Sequence, residues 1–246
     1  MGVIQGREPN LGLSMRLFSA ILCAILLTGA QGALAAGNAS DSKLWTFGRL
    51  DKVGGVAAHP EGAPQIIQTP AGPAVQFDGV KDALFVDEHP LAGAETWSVE
   101  AVFRPDGGAF EQRWMHLAEV DPKTGEDTGA RFLFEMRVVG DRWYLDAFTH
   151  GEGYHLPMMA TDKTYPLGRW YRVAMTYDGK IFRSYVDGAL QMEMPLVFKP
   201  QGPGHSAFGT RINRVNYFHG AVFSARFTRH ALTPEQLAPL PAGLDK

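Results

Sequence analysis

Hydrophobic and polar positions alternate in short runs along most of this chain, and Gly, Pro and Asp separate the runs. A period of two places one face of an extended strand against a core and the other face away from it. The pattern predicts thirteen strands, at 44–48, 65–69, 73–77, 83–86, 96–104, 113–120, 130–138, 142–149, 169–177, 180–187, 189–194, 206–211 and 219–228. No long stretch carries the spacing of an amphipathic helix. The one good helix start is Thr233-Pro234-Glu235. There Thr caps, Pro suits the first helical position and Glu suits the positive end, so a short helix ending near Pro239 is expected.

The clearest local pattern runs from Trp170 to Leu190. Two Asp-Gly pairs, Asp178-Gly179 and Asp187-Gly188, lie between β-rich runs. Asp-Gly supplies the positive φ angles that tight hairpins need, which predicts three consecutive antiparallel strands. The whole set predicts an all-β fold, a two-sheet antiparallel sandwich with a short C-terminal helix.

The N-terminal pattern is different. Residues 1–14 carry mixed charges, Met15-Arg16 opens a basic region, and Leu17 to Leu27 is apolar and uncharged. Ala33-Leu34-Ala35 follows with the small-x-small pattern of a signal-peptidase site. Residues 1–35 therefore read as leader and signal peptide, with Met15 a candidate start beside Met1. The apolar run is short for a membrane span. The only cysteine, Cys23, lies inside it, and Leu22 before it argues against lipidation. Residues 36–43 are expected to be a flexible lead-in, 44–240 one domain, and 241–246 a tail. The expected location is periplasmic or secreted.

Composition adds little that conflicts. A chain of 246 residues with 45% hydrophobic side chains can bury a large core. The many aromatics beside 28 Gly and 16 Pro favour strands and turns over helices. A net charge of −3 offers no basic surface to a nucleic acid.

The segment Leu167-Gly-Arg-Trp-Tyr-Arg-Val-Ala174, then Tyr177-Asp-Gly179 and Tyr185-Val-Asp-Gly188, resembles the central signature of laminin-G-like jelly-roll domains of the concanavalin A-like lectin/glucanase type. Phe77-Asp78-Gly79, Leu84-Phe85-Val86 and Trp97-Ser-Val-Glu-Ala101 resemble the opening strands of that family. Phe208-Gly-Thr-Arg211, Phe218-His-Gly-Ala-Val222 and Ala231-Leu-Thr-Pro-Glu-Gln-Leu237 resemble its closing strands and ending. The similarity covers about residues 44 to 240. It implies two packed antiparallel sheets, one concave, and extracellular recognition of carbohydrate or protein. Many relatives carry calcium on the rim, and some members of the wider fold are glycoside hydrolases or polysaccharide lyases. Here Phe223 stands where many relatives have an acidic cation ligand, so calcium there is doubtful. Asp121, Glu126 and Asp127 offer a second calcium candidate, against the simpler reading of a solvated acidic turn.

Strand alternation gathers a polar set: Glu100, Arg104, His116, Glu135, Arg137, Asp146, His150, Arg211 and Asn213. Charges in mid-strand are costly if buried, so a shared groove that holds a sugar or uronate would explain them. The competing reading is a solvated outer face stabilised by cross-strand ion pairs. The segment 149–159 reads as a loop in which His150, Tyr154 and His155 sit among glycines. Such a loop closes over a ligand or packs on a sheet edge. His150, Glu152 and His155 match no strong metal signature.

Three functions fit these residues. One is an exported glycan-binding sandwich, with Glu100, Arg104, His155, Arg211 and Asn213 on the ligand. Another is a polysaccharide-active enzyme with catalytic candidates His116, Glu135, Arg137, Asp146, His150 and Tyr154. Elimination on a uronate, favoured by the Arg, His and Tyr content, would use Arg137 or Arg211 with His116, His150 or Tyr154 as base, and glycoside hydrolysis would pair Glu135 with Asp146. The third is a cell-envelope interaction protein. The expected partner is a glycan or polysaccharide, with no nucleic acid and no membrane span after cleavage.

Overall fold

A computed structural model describes Gly2 and residues 41–244. The expected signal peptide and most of the lead-in lie outside the described residues. The strands in chain order are β1 (Ser42–Thr46), β2 (Lys52–Val53), β3 (Val56–Glu61), β4 (Gln65–Thr69), β5 (Gly72–Asp78), β6 (Ala83–Val86), β7 (Trp97–Gly107), β8 (Glu111–Val120) and β9 (Asp127–Val139). They continue with β10 (Arg142–Gly151), β11 (Tyr154–Met159), β12 (Tyr165–Pro166), β13 (Tyr171–Tyr177), β14 (Ile181–Val186), β15 (Ala189–Pro195), β16 (Gly204–Phe208) and β17 (His219–Thr228).

Two antiparallel sheets form the sandwich. The first has the order β15-β14-β13-β7-β17-β5-β4, with β1 also on β17. The second has the order β11-β10-β9-β8-β16-β6-β3-β2, with β12 also on β10. All thirteen expected strands are present. The surprises are β2, β3, β11 and β12. β11 is an edge strand, so Pro157 fits there without breaking a ladder. β1 begins at Ser42, inside the expected lead-in, because Ser42 pairs with Thr228 of β17.

The two Asp-Gly corners are built differently. At Asp187-Gly188 both residues have positive φ, 49° and 83°, as a tight hairpin requires. At the other corner only Gly179 does, at 95°. There the Asp178 carboxylate closes the turn, accepting from Lys180 N at 2.9 Å and Ile181 N at 2.8 Å. The expected C-terminal helix is one turn of 3-10 helix, Pro234–Gln236. The chain then extends at Leu237, which packs with Ala174, Tyr185 and Leu232 on the outer face of the first sheet.

Aromatic rings fill the space between the sheets. Trp114 of β8 is stacked between Phe103 of the first sheet, 4.4 Å away at 8°, and Phe134 of β9, 4.9 Å away at 2°. Trp97 and Trp143 are fully buried beside them. These contacts join the sheets directly. Trp114→Ala should therefore cost about 3–5 kcal/mol, whereas Trp170→Ala, on the outer face, should cost about 1 kcal/mol or less. Urea denaturation of both variants checks the contrast.

Candidate functional site

The core alternation of β8 to β11 fixes which side chains face out of the second sheet. Phe132, Phe134 and Met136 of β9 point inward, so Arg131, Leu133, Glu135 and Arg137 point outward. On β10, Trp143, Leu145 and Ala147 point inward and Tyr144, Asp146, Phe148 and His150 outward. A β-bulge at Trp114 inserts one residue into β8. It brings Arg113 and His116, three apart in sequence, onto the same outward face.

Antiparallel register lines these side chains up in rows. One row is Arg113, Glu135, Asp146 and Met159. The next is Ala207, His116, Leu133, Phe148 and Pro157. A third is His205, Ala118, Arg131, His150 and His155. Several are buried although they face away from the core: His116 is 0% exposed, Asp146 2% and Glu135 4%. Long neighbouring side chains therefore shelter this face from solvent.

The acid-bearing side of the face is internally paired. Arg113 Nε donates to Glu135 Oε1 at 2.7 Å, and Arg137 Nη2 lies 3.0 Å from Glu135 Oε2 and 2.6 Å from Asp146 Oδ2. Glu111 pairs with Arg113 and lies 3.6 Å from Arg137. Three carboxylates thus meet two guanidinium groups. Burial, and then the neighbouring Glu135 carboxylate, push Asp146 up to about 7 against the pull of Arg137. One proton on Asp146 brings the group of five to electrical neutrality.

The third row is different. Arg131 Nη1 donates to Gly129 O at 2.6 Å, and its guanidinium lies 5.0 Å from the Phe148 ring centre. Its Nε is buried without a partner, as is Nε of Arg211 on the loop after β16. His116 Nδ1 accepts from Ile212 N of that loop at 2.8 Å, and its Nε2 has no partner. Burial, then the Arg211 and Arg131 charges, hold His116 well below its ordinary value. His150 is also lowered, by burial, Arg131 and His155, and its Nδ1 is 3.3 Å from Nδ1 of His155.

The expected nine-residue cleft does not form as one surface. His116, Glu135, Arg137, Asp146, His150, Arg211 and Asn213 lie on the second sheet or the loop beside it. Glu100 and Arg104 lie on the outer face of the first sheet, because β7 pairs with β13 and β17. There Glu100 Oε1 accepts from Ala238 N at 2.6 Å, and Arg104 Nε binds Asp106 Oδ1 at 2.7 Å. β16 ends at Phe208, so Arg211 and Asn213 sit on a loop and not on a strand.

The segment 149–159 is a hairpin of β10 and β11, not a loop. Its register turns His155 outward and Tyr154 into the core. Gln201 Nε2 donates to the Tyr154 hydroxyl at 2.9 Å, and burial pushes this phenol up to about 12. Tyr154 is therefore a packing residue. Glu152 pairs with Lys199 away from the two imidazoles. Phe223 packs edge-on against Trp170, 6.4 Å between ring centres. Among the described residues, no three His, Cys, Asp or Glu side chains gather as a metal site.

Strand alternation puts Arg131 on the same face as Glu135 and Arg137, but nothing local distinguishes it from its neighbours. Arg113 was hidden by the bulge, and His205 by the earlier start of β16.

The family model described as concanavalin A-like lectin/glucanases superfamily matches residues 78–238. The chain belongs to this superfamily. A comparison with curated proteins found no match. Solved structures similar to this concanavalin A-like sandwich include domain 4 of AbnA, an extracellular arabinanase from Geobacillus stearothermophilus, in complex with arabinotriose. That match has 16% identity and a TM-score of 0.59, and covers 79% of this chain and 94% of that one. The receptor-binding domain of botulinum neurotoxin D matches at 10% identity and TM-score 0.55, over 80% of this chain and 51% of that one. Trypanosoma rangeli sialidase in complex with the inhibitor DANA matches at 12% identity and TM-score 0.55, over 78% of this chain and 31% of the sialidase. The chain thus spans about half of the toxin domain and a third of the sialidase. These likenesses establish the concanavalin A-like fold alone. Among the described residues, no helix is long and apolar enough to cross a membrane.

The Asp146 environment gives this domain a pH signature. An acid whose folded value is raised stabilises the fold below its ordinary value, near about 4, and that contribution is lost as pH rises to about 7. Asp146→Asn should remove this loss. Relative to the wild type, its melting temperature should be higher at pH 8 than at pH 5 by about 5 °C, read by thermal denaturation at both pH values.

Proposed function

We propose that the protein is an exported glycan-recognition sandwich whose binding surface is the outer face of the second sheet. The observation that carries this is a cluster of four buried polar atoms without partners on that face, against one, Glu100 Oε2, on the outer face of the first sheet. They are Nε2 of His116, Nε of Arg131, Oδ1 of Asp146 and Nε of Arg211. Buried polar atoms are normally paired, and a hydroxyl-rich ligand or water would satisfy these. The arabinotriose complex of the arabinanase domain supports a saccharide as the ligand of this fold. The uncharged Leu17 to Leu27 run and the Ala33-Leu34-Ala35 site support export.

The residues favour binding over catalysis. Glu135 and Asp146 share a single guanidinium nitrogen, at 3.0 and 2.6 Å, and both are buried. A pair locked in this way cannot flank a glycosidic bond as hydrolysis requires. Tyr154, one of the three candidate bases for elimination, is packed into the core between the sheets.

Affinity electrophoresis of the full chain against a panel of plant and microbial polysaccharides tests this reading. At least one polymer should retard the wild type. The double variant H150A/H155A should weaken retardation about tenfold, and R104A on the opposite face should leave it unchanged. No unsaturated, ultraviolet-absorbing product should appear. Loss of binding in R104A but not in H150A/H155A would refute the assignment of the face.

A further inference from the structure

We infer that the outer face of the second sheet binds glycans through an anionic group, a carboxylate or a sulfate ester, held by Arg131 and Arg211. The inference rests on the glycan reading above and adds the chemical class of the ligand. Seven other arginines, Arg49, Arg104, Arg113, Arg137, Arg183, Arg214 and Arg226, lie within ion-pair distance of a carboxylate, while Arg142, Arg172 and Arg229 donate to carbonyl oxygens and Arg169 is exposed. Among the described residues, neither Arg131 nor Arg211 has a carboxylate partner. Both are half-buried, and both keep a buried Nε without an acceptor. An uncompensated guanidinium in a sheltered position is costly, and an incoming anion supplies what is missing.

Position sharpens the case. Arg131 stands in a row with His205, His150 and His155 that contains no acid. Its neighbour on β8 is Ala118, which carries no polar side chain to meet the guanidinium. Asp87 reaches only the His205 end of that row, at 3.8 Å. The carboxylates of the same face are engaged one side over, by Arg113 and Arg137. The Phe148 ring lies against one side of the Arg131 guanidinium, 5.0 Å from its central carbon. The imidazoles of His150 and His155 and the amide of Asn213 are available to sugar hydroxyls.

Three polymers separate the possibilities: polygalacturonate, which carries carboxylates alone; dextran sulfate, which carries sulfate esters alone; and arabinan, which is neutral. The full chain should bind one or both charged polymers at least about tenfold more tightly than arabinan. That preference should collapse when salt is raised from about 0.1 M to about 1 M. R131Q and R211Q should each lose about tenfold on the charged polymers and nothing on arabinan, while R131K and R211K keep most of the affinity. The stronger of the two charged polymers identifies the anion. Binding to arabinan that equals binding to the charged polymers, or charged-polymer binding unaffected by R131Q and R211Q, would overturn the anionic assignment and leave the glycan reading intact. Failure of all three polymers, together with a silent polysaccharide panel, would overturn both.

Discussion

The aromatic stack that runs from Phe103 through Trp114 to Phe134 holds the two sheets in one relative register, and the chemistry of the outer face depends on it. Side chains of a strand alternate with a period of two. Once Phe132, Phe134 and Met136 are committed to the core, Arg131, Glu135 and Arg137 have no other direction to take. A slip of one residue would bury two arginines and a glutamate between the sheets, at a cost far above the stability of a domain. The bulge at Trp114 is part of the same constraint. It lets β8 place two large core side chains, Trp114 and Met115, in succession, and still deliver both Arg113 and His116 to the other side.

Charge on that face is divided into two regimes. Around Arg137 the opposite charges nearly cancel, so burial is tolerable and the side chains are locked. Around Arg131 they do not cancel. A buried ion pair is weak support for stability, but a buried charge without a partner is a clear liability. Such liabilities concentrate where a protein meets something else. The imidazoles beside Arg131 fit this picture, because burial, and then the neighbouring cations, lower both His116 and His150 below their ordinary values and so limit the repulsion.

The sequence made the local structure legible and the pairing of distant strands only partly so. The Asp178-Gly179 and Asp187-Gly188 corners and the alternation of 131–138 and 143–150 could be read directly, because turn chemistry and period two are local properties. Glu100 and Arg104 alternate just as clearly, yet they belong to the other sheet. Alternation reports a face of a strand, and only pairing, here of β7 with β13 and β17, decides which sheet owns it. Tyr154 was misplaced for a related reason. Glycines at 151 and 153 suggested a loop, but they make a tight hairpin, and its register sends the phenol inward. Arg211 entered the site through a loop that folds back on His116, a contact across 96 positions in sequence that no short-range pattern reveals.

The two outer faces of the sandwich are treated unequally, and this asymmetry limits where a ligand can be held. On the first sheet the C-terminal segment lies across the strands. Leu237 packs on Ala174 and Tyr185, Ala238 N binds Glu100, and Arg172 binds the carbonyls of Leu237 and Ala238. Most polar groups there are satisfied by the chain itself, Glu100 Oε2 being the exception, with Arg226 3.4 Å away. Phe223 and Trp170 close a further part of that surface with Arg104 against the indole, 5.3 Å from its centre. Among the described residues, the second sheet has no such cover over the row of Arg131, His150 and His155. The 209–218 loop reaches that face at His116, and it contributes another guanidinium nitrogen without an acceptor. A fold shared with proteins of many functions leaves the binding face undetermined. Here the chain has used its own C-terminal segment to satisfy one face and has left the positive charge of the other to be met from outside.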